Sequence, residues 1–170
     1  MPTPHFAPGS DLTALLLSRH LLASERVTIV GLSAAWLPVL VARCRIAQPA
    51  HLDPPQGFER DPAVLRAVVD FILAHPARFT FFAVGSPRQE MLAAGVKATG
   101  RATGIGLCIG AGLEFLAGAR PRAPLWMQRH SLEWLHRLGR DPLHMARRYL
   151  VDSPAILPML VRERLAPANG

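Results

Sequence analysis

Two short apolar runs end at glycine and are followed by polar residues. Phe79-Thr80-Phe81-Phe82-Ala83-Val84 stops at Gly85-Ser86-Pro87 and continues as Arg88-Gln89-Glu90. Gly104 to Ile109 stops at Gly110-Ala111-Gly112, and Glu114 follows. A third run, Val27-Thr28-Ile29-Val30, ends at Gly31. In open α/β sheets ligands bind in the crevice outside the carboxyl ends of the strands. A strand, a glycine and a helix in that order can also cradle phosphate. The residues at such an edge are Gly31, Gly85, Ser86, Pro87, Gln89, Glu90, Gly110 and Glu114. Asp11 and Glu114 are the carboxylates beside loops expected to face the crevice, and so the two that could serve as a base. Each has a plainer reading too. Gly85-Ser86-Pro87 can be a simple turn, Gln89-Glu90 a helix start favoured by the dipole, Asp11 a helix cap and Glu114 a surface carboxylate.

Charge points to an anionic partner. The net charge is +7, and it is uneven. Residues 1–118 hold 10 Lys and Arg against 8 Asp and Glu, whereas residues 119–170 hold 9 against 4, and all nine cations there are Arg. Arginine grips phosphate bidentately and keeps its charge when partly buried. A pyrophosphate or an acidic lipid surface therefore fits the C-terminal part. Nucleic acid is excluded as a partner, because aromatics are only 6% and no nucleic-acid motif is present. No Asp-x-Asp pair occurs, so neither a metal nor another cofactor is expected. The two cysteines, Cys44 and Cys108, lack metal spacing and read as reduced core thiols. No apolar run approaches the roughly 20 residues that span a bilayer, and no signal peptide is visible, so a cytoplasmic location is expected.

The elements that must position these residues alternate. Ser10 or Asp11 can cap a helix with apolar positions Leu12, Leu15, Leu16 and Leu22. The strand 27–30 precedes a helix 34–45 that Ser33 could cap, with Pro38 tolerated in its first turn. Four prolines and glycines make 46–60 a loop. Asp61-Pro62 is an N-cap followed by proline at the first helical position, and Val64, Leu65, Val68, Val69, Ile72 and Leu73 repeat at helical spacing. A strand 79–84, a helix 89–97 and a strand 103–109 complete the alternation. This order argues an α/β fold, a Rossmann-like parallel sheet flanked by helices. Beyond Gly118 the pattern becomes helical and basic. A helix carrying Trp126, Leu132, Leu135 and Leu138 ends near Gly139. Another, from Asp141, puts His144, Arg147 and Arg148 on one face and Leu143, Ala146 and Leu150 on another, a combination suited to a membrane interface. Two domains are expected: 1–118, α/β and ligand-binding, and 119–170, a helical appendage.

Three motifs carry a family resemblance. Gly85 to Glu90 matches G-S-P-[KR]-Q-E. Gly110 to Gly118 matches G-x-G-x-x-[DE]-x-x-A-G with one shifted glycine. Arg122 to Arg137 matches R-A-P-x-W-M-Q-R-x-x-L-E-W-L-x-R without a gap. The chain resembles the WecG/TagA/CpsF bacterial glycosyltransferases, glycosyltransferase family 26. The resemblance implies inverting, metal-independent transfer of an N-acetylmannosamine-type sugar from a UDP-sugar to a polyprenyl-diphosphate-linked acceptor. The product would serve cell-surface polysaccharide or teichoic acid synthesis. The chain would sit as a peripheral protein on the inner face of the cell membrane, against its anionic surface. The resemblance also puts Gln89 in the active-site cleft and Arg137 and Arg147 on the nucleotide diphosphate. Arg129 is a further substrate-binding candidate, and Asp11 stays a catalytic candidate although it does not match the family's proposed base. The chain departs from the family pattern at Phe6, at Leu32, where a second glycine is usual, and at His144. No counterpart of the family's Thr-Pro-Asn and Asp-Gly segments is found, so a short form is expected. The alternative is a non-catalytic or split homologue, a scaffold subunit that binds nucleotide and lipid diphosphate. A separate N-terminal partner chain or a homo-oligomer is compatible with either.

Overall fold

The computed structural model describes residues 9–20, 25–121, 123, 124, 126, 127, 132, 135, 138 and 139. The chain divides into two units, 1–121 and 122–170, and each is taken by itself. In the second, the Leu132 N–H donates to the Met127 carbonyl at 2.8 Å. The helix expected from Asp141 and the apolar tail lie outside the described residues.

The first unit is built on four parallel strands: β1 (Val27–Gly31), β2 (Ala50–Leu52), β3 (Phe79–Ala83) and β4 (Ile105–Cys108), in the spatial order β2-β1-β3-β4. Five helices accompany them: α1 (Gly9–Leu15), α2 (Leu37–Cys44), α3 (Pro62–Ala74), α4 (Arg88–Ala98) and α5 (Gly112–Ala117). The expected Rossmann-like α/β architecture is what forms.

Strand parity divides the core. Val27 and Ile29 of β1 and Phe79 and Phe81 of β3 point to one face, where they meet Leu17, Leu40 of α2, and Leu113 and Ala117 of α5. Val30 and Phe82 point to the other, against Val68 and Ile72 of α3 and Leu92 and Val96 of α4. A strand buried on both faces reads as a continuous apolar run, because neither face can be polar. Phe81 and Ile29 are completely buried, and full burial of such a side chain is worth about 1.5–3 kcal/mol. The helices follow from the direction of travel. The chain moves one way from β1 to β2 and the other way from β2 to β3 to β4, and crossovers of a single hand then place α2 opposite α3 and α4.

Local signals explain most boundaries. Asp61 caps α3, its Oδ1 accepting from the N–H of Ala63 at 2.8 Å and of Val64 at 3.4 Å. Such a cap contributes about 1 kcal/mol. Pro38 lies in the first turn of α2, where its missing N–H costs nothing.

Five expectations are corrected. The stretch 46–60 is not wholly loop: it contains β2 and a 3-10 turn, Phe58–Arg60. Ser33 caps no helix with its side chain; its backbone carbonyl accepts from the Trp36 N–H at 2.9 Å, and a 3-10 turn, Ala34–Trp36, leads into α2. α1 begins at Gly9, so Ser10 and Asp11 lie within its first turn rather than capping it. Its buried residue is Thr13, and Leu17 of the π-helical turn that continues it (Leu16–His20) is buried too, while Leu12 and Leu15 are exposed. The leucine stripe misleads here because α1 packs on α5, where Thr13 fits over the bare Cα of Gly112. Finally, both cysteines are free thiols, but Cys108 is exposed rather than core, because β4 is an edge strand.

Candidate functional site

Strand order reverses between β1 and β3, so the switch point lies where Gly31 and Ala83 pair at their carboxyl ends. A Cβ on Gly31 would stand 2.7 Å from the Ala83 carbonyl carbon, and its φ of +94° favours glycine. Gly31 therefore has a packing duty: it lets two strand ends close together at the crevice. Leu32 follows with φ +66°, a left-handed conformation uncommon for a side-chain-bearing residue. Two interactions hold it there. Its side chain is buried in the α1, α2 and α5 layer, and its carbonyl accepts a hydrogen bond from His51 Nε2 at 2.8 Å. The departure at Leu32 thus keeps a backbone shape that glycine would adopt freely.

Across the switch point, β3 runs into Gly85-Ser86-Pro87, with a cis Ser86–Pro87 bond, and then into α4. The Gly85 carbonyl accepts from the Gln89 N–H at 2.9 Å. Gln89 is buried, unusual for glutamine, and both the nitrogen and the oxygen of its amide are hydrogen-bonded. Its Nε2 donates to Glu90 Oε1 at 2.8 Å, and its Oε1 accepts from the Gly110 N–H at 2.8 Å. Gln89 so ties the start of α4 to the loop that follows β4. The Cys108 Sγ–H also points to the Gln89 carbonyl, at 3.6 Å. Although the residue is largely exposed, partial desolvation of its sulfur raises the Cys108 thiol above its ordinary range, and the negative charge of Glu90 adds to that.

The structure thus brings Gly31, Gly85, Ser86, Pro87, Gln89, Glu90 and Gly110 to one edge of one sheet. Glu114 lies two residues into α5, its Oε2 paired with Arg120 Nε at 2.5 Å. Asp11 is exposed on α1, which packs on α5. Arg129, Arg137 and Arg147 lie outside the described residues.

Two residues escaped the sequence reading. Arg88 opens α4 half-buried, and its Nη2 lies 3.4 Å from where a Gly85 Cβ would stand. It makes no ion pair among the described residues. The basic position of the G-S-P-[KR]-Q-E pattern was the available signal. Glu59 sits in the 3-10 turn between β2 and α3, on the same carboxyl edge. Its Oε2 is buried with no hydrogen-bond partner among the described residues. No sequence pattern marks it.

An open parallel sheet whose glycine-ended strands and buried polar side chains gather at the switch point defines an α/β protein of the Rossmann-like class. The model of the Glycosyl transferase WecG/TagA/CpsF family matches residues 1–170, and the chain belongs to that family.

Proposed function

We propose that the chain binds a UDP-sugar at the switch-point crevice and transfers an N-acetylmannosamine-type sugar, with inversion and without a metal, to a polyprenyl-diphosphate-linked acceptor. One observation carries this reading: Gln89, buried and bonded to both Glu90 and Gly110, couples the two glycine turns around Arg88, which has no ion pair among the described residues. Transfer from a nucleotide diphosphate requires positive charge or backbone dipoles on the leaving group. Arg88 and the turn at Gly85 to Pro87 supply such a locus, and Arg129, Arg137 and Arg147 would complete it in place of a metal. The basic segment after Gly118 would bring the chain to an anionic membrane at its cytoplasmic face. Calorimetry with UDP tests the nucleotide part: binding is expected to persist with a chelator and to weaken with Arg88→Ala and Arg147→Ala. Binding that vanishes with the chelator overturns the metal-free mechanism.

A non-catalytic scaffold is the second reading, and the Glu114–Arg120 pair favours it. A carboxylate held by arginine is poorly placed to take a proton from an acceptor hydroxyl, and base catalysis is typically worth about 10²–10⁴-fold. Transfer assays on Asp11→Asn and Glu114→Gln separate the two readings. Activity abolished by either substitution names the base; turnover unaffected by both leaves neither as the base.

A further inference from the structure

A cavity of about 410 Å³ lies toward the amino ends of β3 and β4, and none of the crevice glycines lines it. It is bounded by α3, α4 and the loop that leads into β4. Its origin is legible in the strands. Thr80 pairs with Gly106 in the sheet, so at the amino end of this face the edge strand contributes a glycine, where a larger residue would have filled the layer. Phe82 leans into part of that space, within 2.8 Å of where a Gly106 Cβ would stand.

The lining has two chemistries. Phe82, Ala93 and the neighbouring aliphatic residues make an apolar body, and Lys97 and Arg101 bring two cations. No Asp or Glu lines the cavity, and neither cation has an ion-pair partner among the described residues. Thr80 adds a third feature. It is only 6% exposed, yet its hydroxyl makes no hydrogen bond among the described residues. Thr28, its neighbour in the sheet, shows the ordinary solution: its hydroxyl donates to the His75 carbonyl at 2.8 Å. The only described side-chain oxygen both buried and unpartnered is that of Glu59, so the Thr80 hydroxyl opens onto the cavity, where it is free to donate to a ligand atom.

We infer that this cavity binds a small amphipathic anion, a carboxylate or phosphate carried on an apolar body. The apolar part sits against Phe82 and Ala93, and the anionic head takes hydrogen bonds from Thr80, Lys97 and Arg101. The site is independent of the crevice, and UDP binding serves as its control.

Titration calorimetry on the full chain with octanoate, octyl phosphate, octanol and inorganic phosphate tests it. At least one octyl anion is expected to bind saturably and more tightly than octanol, with inorganic phosphate alone failing to bind. Preference between the two anions identifies the head group. The double substitution Lys97→Gln, Arg101→Gln is expected to weaken the anion about tenfold or more and to leave octanol and UDP unchanged. Ala93→Phe should fill the cavity and abolish both octyl ligands. Thr80→Val, close to isosteric, should weaken the anion alone and covers the case in which Ala93→Phe does not fold. An octyl anion that binds no better than octanol, or survives Ala93→Phe in a folded protein, overturns the inference. So does an anion indifferent to the loss of both cations. Loss of UDP binding in the unsubstituted chain would count against the proposed transferase and leave this site standing.

Discussion

Strands β1 and β4 are both short apolar runs that close on glycine, Gly31 as the last residue of β1 and Gly110 two residues past β4, and they hold opposite places in one sheet. β1 is flanked by strands on both sides and buried at all five positions. Among the described residues β4 pairs only with β3, and three of its four residues, Ile105, Gly106 and Cys108, are exposed. The contrast shows what a hydrophobic run means. It reports that a strand forms, but its neighbours decide whether its side chains are enclosed. β4 works as an edge, and its exchange of side chains for glycine creates the cavity beneath it.

The sharpest way to break this contrast is by truncation in the interior. Phe81→Ala, in β3 beside β1, is expected to cost about 3–5 kcal/mol in denaturant unfolding. A loss below about 1 kcal/mol would mean that the central strands are not the core. Gly31→Ala comes next. It combines a left-handed φ with a clash against β3, and about 2–4 kcal/mol is expected; a neutral effect would show that the two strand ends are not closed together. Gln89→Met removes the acceptor for the Gly110 N–H. About 1–3 kcal/mol should be lost, together with UDP affinity. Stability lost with affinity kept would make Gln89 a brace and not part of the crevice.

The edge should respond least. Ile105→Thr, at a residue 54% exposed, is expected to change stability by less than about 1 kcal/mol. Cys108 supplies a pH signature of the same edge. Its thiol is pushed above the ordinary value of 9.0, first by burial and then by Glu90. A group whose pKa rises on folding stabilises the native state below its ordinary value and loses that contribution as pH climbs through the raised one. In a Cys44→Ala background, thiolate absorbance should therefore appear later than in a free thiol, and Glu90→Gln should bring it earlier. An unshifted titration in both proteins would remove Glu90 from the neighbourhood of β4.

Much of the fold was readable because its signals are local. Asp61-Pro62 announces α3 by an N-cap and a proline whose missing N–H is harmless there. The aromatic run at 79–83 announces a strand that must be buried on both faces. β2 was not readable. Ala50-His51-Leu52 is three residues long among prolines, and only pairing with β1 makes it a strand. The buried face of α1 failed for a related reason. Four leucines look like a core stripe, but the helix presses Thr13 onto Gly112, a choice made by α5.

The candidate site divides in the same way. Glycine at 31, 85 and 110, and the motif from Gly85 to Glu90, could be read directly from the chain, since turn chemistry and residue type travel with the sequence. The family followed from the same motifs. Only the tertiary structure decided that Gln89 Oε1 meets the Gly110 N–H, that Arg120 takes Glu114, that His51 holds Leu32, and that Thr80 is left with an unused hydroxyl. Periodicity and capping act over a few residues and are written in the order of the chain. Partners such as Gln89 and Gly110, or Thr80 and Gly106, lie more than twenty residues apart and meet only when the sheet assembles.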